Sequence, residues 1–307
     1  MNARGWLLPL ALAGCAAPAA QPPAPPAAAT GFEDVAIRTT DLGQGLYLLE
    51  GRGGNIGVSA GPDGVILIDD QFAPLTPKIE AAVRTISDQP IRFVLNTHWH
   101  GDHTGGNENL GKGGALIVAH HNVRKRLAGG WFNDRAKRET EPAPAAALPV
   151  VTFGADTSFH VNGLEIAALH VAPAHTDGDA VVFFRGANVV HLGDLYFNGR
   201  YPVIDWGSGG HIDGVVAAVD RLLPMVDDQT RIIPGHGPLS NKAGMKAYRD
   251  MLATVSARIS KLMKQNKNLA AIQAAKPTAE FDAAWAGGRS PDDWVEMVYH
   301  GLARQKK

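Results

Sequence analysis

The six-residue run His-Trp-His-Gly-Asp-His at positions 98–103 constrains this chain more than any other segment, and it directly follows an apolar, strand-like stretch. In an extended segment, side chains two positions apart point the same way. His98 and His100 can therefore reach one metal ion, while Asp102 and His103 turn towards a second. Histidine supplies only 12 of the 307 residues, so chance should produce such a cluster in about one chain per thousand. The run predicts a site for two neighbouring cations.

Three later segments also place a metal-binding type of residue just after an apolar strand. They carry His175 in Pro-Ala-His-Thr, Asp194 in Leu-Gly-Asp and His236 in Pro-Gly-His-Gly. Strand ends are rigid, and small neighbouring residues let loops pack closely around an ion. These three residues join the four of the first run as candidate ligands.

The order of these motifs resembles that of the metallo-β-lactamase superfamily, over about residues 40–240. The resemblance implies an α/β fold, a four-layer αβ/βα sandwich with metals in a cleft at one edge of two packed sheets. It also implies a division of the ligands. His98, His100 and His175 would hold the first metal, Asp102, His103 and His236 the second, and Asp194 would bridge them.

Such a centre would make water a nucleophile near neutral pH, because two divalent cations outweigh two carboxylates among neutral imidazoles. Asp102 would orient this nucleophile and accept its proton. Two Zn²⁺ ions are expected, although a carboxylate-rich set also admits iron or manganese. The chain is thus interpreted as a binuclear hydrolase of an amide, ester, lactone or thioester. A mononuclear iron oxygenase of sulfur compounds and a non-catalytic binding module are the alternatives.

The bridging residue departs from the antibiotic-degrading branch of this superfamily, which has cysteine where this chain has Asp194. An aspartate there resembles glyoxalase II. The lysine which that branch places three residues later is Phe197 here, so a β-lactam carboxylate lacks its usual anchor unless Arg200 or Lys112 replaces it. Cleavage of β-lactams is plausible, with lactone, ester and thioester hydrolysis as close alternatives.

Several other residues are given supporting or purely structural roles. Asp69, at a strand end, matches a superfamily position that braces the metal loop, although a turn-forming role is equally open. Thr176 and Asp179, just after His175, are expected to support that loop. Residues 129–149 form either a substrate rim or an ordered surface loop. The remaining histidines are expected to be structural or solvated, and His211 is the least secure of them.

Composition limits the partners of the folded part. The formal net charge is −1, which leaves no basic surplus for phosphates and counts against nucleic acid as the main partner. A hydrophobic content of 45% is sufficient for a substantial core. A small-molecule substrate is the favoured partner.

The N-terminus predicts export. Residues 1–14 combine Arg4 with a short apolar stretch, and Leu-Ala-Gly-Cys resembles a bacterial lipobox, which implies lipid attachment at Cys15. The alternative is an ordinary secretory signal cut further along. Residues 15–35 form an Ala/Pro-rich linker, and residues 36–307 form the catalytic domain, including a C-terminal helical part at about 267–307. The protein is expected on the periplasmic side of a bacterial membrane, held there by its lipid.

Periodicity and turn signals indicate strands and helices along the catalytic domain. Thr76 is expected to cap the first helix, which Ile79, Val83 and Ile86 continue. Further helices are expected over about 215–223 and 245–262. Strands are predicted at 46–49, 56–59, 65–68, 91–95, 115–118, 150–153, 158–161, 164–169, 181–184, 189–192 and 231–233.

Overall fold

The structure is a computed structural model that describes residue 1 and residues 31–133, 138–171 and 173–304. The predicted signal peptide beyond residue 1, the lipidation site Cys15 and residues 16–30 of the linker lie outside the described residues. Among the helices that are described, none combines the length and the apolar character needed to cross a membrane.

The strands of the described chain mostly coincide with the apolar stretches predicted from the sequence. They are β1 Arg38–Gly43, β2 Leu46–Glu50, β3 Ile56–Gly61, β4 Gly64–Ile68, β5 Ile91–Asn96, β6 Leu116–His120, β7 Trp131–Asn133, β8 Arg138–Thr140, β9 Val151–Phe153, β10 Asp156–Val161, β11 Leu164–His170, β12 Ala180–Arg185, β13 Val189–His191 and β14 Arg231–Ile233.

The helices lie between strands or follow the last of them. They are α1 Thr76–Ile86, α2 Gly101–Thr104, α3 Asn107–Lys112, α4 His121–Gly129, α5 Ile212–Leu222, α6 Lys242–Lys264, α7 Leu269–Ala274, α8 Asp282–Trp285 and α9 Pro291–Arg304.

Two main sheets form within the described residues. The first has the order β1-β2-β3-β4-β5-β6-β9, and the second the order β10-β11-β12-β13-β14. Strands β1 to β4 are antiparallel, whereas β4, β5, β6 and β9 run parallel. In the second sheet only the pair β13 and β14 is parallel, and helix α5 lies in its crossover. Parallel strands need such crossovers, which cover a sheet face with helices.

Alternating side chains divide the core into layers. In β4, Leu67 belongs to the same buried cluster as Ile79 of α1, whereas the next residue, Ile68, belongs to the cluster that contains Phe184 of β12. Phe183, on the opposite face of β12, lies in the cluster formed with helices α5, α6 and α9. Since successive strand residues face opposite sides, the order is helix, sheet, sheet, helix. The predicted αβ/βα sandwich is confirmed.

Local details differ from the sequence predictions. Thr76 does not cap α1: a short 3₁₀ turn at Ala73–Leu75 leads into the helix, and Thr76 is its first residue. The Thr76 hydroxyl instead accepts a hydrogen bond from Asn109 at 3.2 Å. Residues 129–149 contain the hairpin of β7 and β8, and residues 134–137 of it lie outside the described chain. Helices α7, α8 and α9 lie within the C-terminal residues 269–304.

Candidate metal centre

The candidate ligands converge because each follows a strand at the same edge of the sandwich. The run at 98–103 follows β5, and His175 lies in the loop between β11 and β12. Asp194 lies in a 3₁₀ turn after β13, and His236 follows β14. Helix α2 begins at Gly101, so the second half of the run is helical and not extended. Asp102 and His103 fall in a different group of candidate ligands from His98 and His100, although the ring centroids of His98 and His103 lie only 4.2 Å apart.

The structure brings all seven side chains into two adjoining groups. Within each group, one ligand-type atom from every member lies within 4.8 Å of the others. One group consists of His98, His100, His175 and Asp194, and the other of Asp102, His103 and His236. The resemblance implied the same grouping of the six other residues, with Asp194 as a bridge between the two metals.

Asp194 faces both groups with different oxygens. Its Oδ2 lies 3.4 Å from Nε2 of His175 and 3.8 Å from Nε2 of His98. Its Oδ1 lies 3.1 Å from Nε2 of His103 and 3.4 Å from Nε2 of His236. A carboxylate in this orientation can offer one oxygen to each of two ions.

A hydrogen-bond network beneath the centre orients His98 and His103. Asp69 Oδ2 accepts from Nδ1–H of His103 at 2.7 Å and from the Thr97 hydroxyl at 2.7 Å. The Thr97 hydroxyl in turn lies 3.1 Å from Nδ1 of His98, which is the donor in this pair because the hydroxyl hydrogen is already used. Both rings therefore present Nε2 to the centre. Asp69, expected to act as a brace or as a turn former, contacts a candidate ligand directly and also has a positive φ of 65°.

A second support was missed from the sequence. His100 donates from Nε2 to Asp205 Oδ2 at 2.9 Å, which leaves Nδ1 facing the centre. His175 donates from Nδ1 to the Val203 carbonyl at 2.8 Å and presents Nε2. Asp205 lies 105 residues from His100 in the chain, and no recognisable motif surrounds it.

Asp179 braces the loop that carries His175. Its carboxylate accepts hydrogen bonds from the backbone amides of His175 and Thr176, and from the hydroxyl of Thr176. Burial raises the pKa of Asp179 to about 7, against the opposing effect of these hydrogen bonds. Thr176 and Asp179 therefore hold the loop backbone and do not touch an imidazole of the centre.

Burial and charge distinguish the two groups. Burial lowers the pKa of His175 to about 4 and, together with the neighbouring His103, lowers that of His98 well below its usual value. Burial also opposes protonation of His100, but its bond to Asp205 outweighs this effect and raises its pKa. The neutral imidazoles of His98 and His175 are the form that binds metal.

Negative charge dominates the second group. Burial disfavours charge there, but the adjoining carboxylates raise the pKa of His103 well above normal and that of His236 to about 9. Despite the cost of burial, His103 and His236 lower the pKa of Asp102 to about 2. A divalent cation can balance the charge of these carboxylates in place of protons on the imidazoles.

The donor atoms fit metal ions. Nε2 of His98 is buried and has no hydrogen-bond partner among the described residues. Nε2 of His175 and Nδ1 of His100 are 3.0 Å apart, and Nε2 of His103 and of His236 are 3.3 Å apart. Ligands about 2.0–2.1 Å from a shared tetrahedral ion are separated by roughly this much. An unpartnered nitrogen together with converging ring nitrogens is the arrangement that an ion satisfies.

The centre opens to solvent on one side. The side chain of Asp102 is 28% exposed and that of His100 20%, whereas His103 and His175 are fully buried. Phe197, in the position of the absent lysine, is buried and stacks on the His236 ring, with centroids 5.0 Å apart. It therefore supports His236 and supplies no charge to a substrate.

Two of the other histidines have structural contacts, in agreement with the sequence analysis. His191 donates to the Asn55 carbonyl at 3.0 Å and accepts from the Gly193 amide at 3.1 Å, so it fixes the turn before Asp194. His211, the least secure of them, accepts from the Gly214 amide at 2.8 Å and caps α5.

Comparison with known proteins identifies the class. Residues 49–236, more than half of the chain, match the family described as the metallo-beta-lactamase superfamily. The chain belongs to this superfamily, as its ligand motifs predicted. The family and the buried His/Asp cluster together imply a metal cofactor.

Individual relatives are distant. A hydroxyacylglutathione hydrolase from Polaromonas sp. is 27% identical over 178 residues, which span 58% of this chain and 60% of the relative. A metallo-beta-lactamase from Pontibacter korlensis superposes with a TM-score of 0.58 at 20% identity, over 71% of this chain and 99% of that one. A sec-alkylsulfatase from Pseudomonas sp. superposes with a TM-score of 0.64 at 18% identity, over 86% and 50%. The two structural likenesses support the fold alone.

Proposed function

We propose that this protein is a hydrolase with a two-metal centre. His98, His100 and His175 would hold one ion, Asp102, His103 and His236 the other, with Asp194 between them. The observation that carries this proposal is the position of Asp194, whose two oxygens face the two groups separately. When bound, divalent ions at such a centre lower the pKa of water and polarise a carbonyl or related oxygen.

The residues of the centre would divide the remaining work. Asp102 has the most exposed carboxylate of the set, 3.3 Å from Nε2 of His236, and can orient an attacking water and accept its proton. Asp205, Val203 and Asp69 would keep the imidazoles in one tautomer and orientation. These hydrogen bonds are formed in the structure and support the proposal, because they favour the imidazole orientations that it requires.

A cavity beside His236 supports an anionic substrate. This cavity, of about 280 Å³, is lined by Arg38, Arg52 and Arg200 as well as by His236. Arg38 pairs with Glu50 at 2.5 Å. Arg200 is exposed and forms no hydrogen bond or ion pair with any described residue, so it is available to a carboxylate.

Arg200 and Lys112, the two basic residues suggested as replacements for the missing lysine, therefore differ in their access to this cavity. Lys112 pairs with Glu108 at 2.6 Å on α3 and does not line the cavity beside His236. Arg200 does line it. We favour an ester, thioester, lactone or β-lactam that carries a carboxylate, and Arg200 as the residue that binds it.

Zinc is the favoured metal, and metal analysis combined with a substrate panel tests the proposal. Purified protein should contain about two zinc ions per chain and hydrolyse at least one member of a panel of thioesters, lactones and β-lactams. The Asp194→Ala variant, which removes the bridge, should lose metal and activity together. One iron per chain with oxygen consumption would instead favour the mononuclear oxygenase, and absence of any bound metal would favour a binding module.

Export is proposed on the sequence alone. The signal-like residues 1–14 and the lipobox ending at Cys15 favour a lipoprotein on the periplasmic side of a bacterial membrane. The linker over 15–35 would hold the catalytic domain away from the bilayer.

A further inference from the structure

One short segment, residues 201–206, orients two candidate ligands of the same group. Asp205 accepts from Nε2–H of His100 at 2.9 Å, and the Val203 carbonyl accepts from Nδ1–H of His175 at 2.8 Å. These two bonds select which ring nitrogen each imidazole presents to the centre. Any displacement of the segment would therefore move both imidazoles at once.

Helix α9 holds the middle of this segment by hydrogen bonds. Trp294 donates from its indole nitrogen to the Pro202 carbonyl at 2.9 Å. The backbone amide of Ile204 donates to the Met297 sulfur at 3.1 Å. Both helix residues are buried, so water cannot readily replace either bond.

Contacts at the two ends of the segment come from the same C-terminal region. Tyr201 stacks on Trp294, with ring centroids 4.2 Å apart, and its hydroxyl donates to Asp282 of α8 at 2.7 Å. At the other end, the guanidinium of Arg304 lies 3.9 Å from the centre of the Trp206 ring, an attractive cation–π distance. The segment is thus held at its start, middle and end.

We propose that helices α8 and α9 act as a positioning element for the metal centre. Asp205 and Val203 transmit this effect to His100 and His175. The inference rests on the proposed function, since it assigns a role towards the metal. The supporting helices follow residue 236, where the family match ends, so this support comes from a part of the chain outside the shared family region.

A merely structural role is the competing explanation, because Trp294 and Met297 also belong to the core shared with α5 and α6. The test therefore compares two pairs of mild substitutions in that core. The double variant Trp294→Phe/Met297→Leu removes both hydrogen bonds to the segment and retains apolar side chains. The control, Met251→Leu/Ile259→Val, changes two buried residues of α6 that form no side-chain hydrogen bond with the segment among the described residues.

We expect both double variants to fold and to show similar decreases in Tm. Only the α9 variant should bind zinc about tenfold more weakly in competition with a chelator, the lower end of the usual cost of losing support behind a metal ligand. Its cobalt-substituted form should also show an altered visible absorption spectrum, because the ligand geometry changes. Equal zinc affinity in the α9 variant, the control and the wild type would overturn the inference.

Asp205→Asn provides a second, milder variant at the end of the proposed path. It should weaken zinc binding by about tenfold, and combining it with the α9 substitutions should cost less than the sum of the two losses, because both act in part through the bond between Asp205 and His100. Fully additive losses would contradict the path through Asp205. If the wild-type chain bound no metal, the proposed function itself would fail. If the wild type bound zinc and the α9 variant bound it equally well, only the present inference would fail, so the two failures are distinguishable.

Discussion

At the scale of single residues, Asp102 combines contact with the centre and access to solvent. Asp102→Ala should reduce kcat by at least about a hundredfold, since it removes the residue proposed to orient water and accept its proton. Its partial exposure predicts that the variant still folds. Steady-state kinetics on the best substrate of the panel, with circular dichroism as a check, measure this effect. Asp228→Ala, at an exposed position, is the control, and wild-type turnover by the Asp102 variant would rule out the assigned role.

His236 provides a test that distinguishes the two proposed ions. It belongs to the second group only and is supported by Phe197, so His236→Ala should deplete one ion and spare the other. Elemental analysis should find about one metal per chain instead of two. Retention of both ions would remove His236 from the ligand set.

Arg200 provides a test of substrate charge. Arg200→Ala should raise KM for a substrate that carries a carboxylate and leave KM unchanged for the matching neutral ester. Lys112→Ala should affect neither, because its partner is Glu108. Steady-state kinetics on the substrate pair would measure this selectivity, and a similar change for both substrates would contradict the proposed anion contact.

At the scale of elements, the loop between β2 and β3 packs against the run at 98–103 and should help to fix its position. A Cβ added to Gly54 would lie 2.1 Å from Cε1 of His103, so Gly54→Ala must displace the imidazole. The overpacking should cost about 1–3 kcal/mol of folding free energy and weaken metal binding. Chemical denaturation and metal titration would show both effects. Gly154→Ala is the matched control, because its Cβ meets nothing within 4 Å, and unchanged metal binding by the Gly54 variant would show that the loop does not set the site.

The elements also show how far the sequence alone reaches. Short apolar runs predicted most strands, and many of these runs are continuous because both faces of the sheets are buried, as the opposite packing of Leu67 and Ile68 shows. All seven ligand candidates could be proposed from the sequence because each lies in a compact motif at a strand end. Asp205 could not be proposed in this way, because its link to His100 depends on tertiary packing between residues 105 positions apart. The prediction that Thr76 caps helix α1 was wrong, because a preceding 3₁₀ turn leads directly into the helix.

At the scale of the whole molecule, bound metal should stabilise the folded state. An ion present at a thousand times its Kd adds about 4 kcal/mol to the free energy of unfolding. Treatment with a chelator should therefore lower Tm markedly, and added zinc should restore it. Calorimetry of the chelated and reloaded protein measures the difference, and an identical Tm in both states would contradict a site formed only in the folded chain.

Anchoring is also a property of the whole molecule. If Cys15 carries a lipid as proposed, Cys15→Ser should move the protein from the membrane fraction to a soluble fraction, because the sulfur that would bear the lipid is lost. Fractionation of cells expressing each form would show this. Membrane association that persists in the variant would favour a different attachment.

The division of ligands between the two sheets has a consequence for how the protein matures. The first sheet contributes the run at 98–103, whereas His175, Asp194 and His236 come from the second. Neither half alone brings together either group of candidate ligands. Under the proposed function, a nascent chain would therefore acquire metal only after both halves had been synthesised and had docked, and the ions available in the compartment where docking finishes would determine which element the mature enzyme carries.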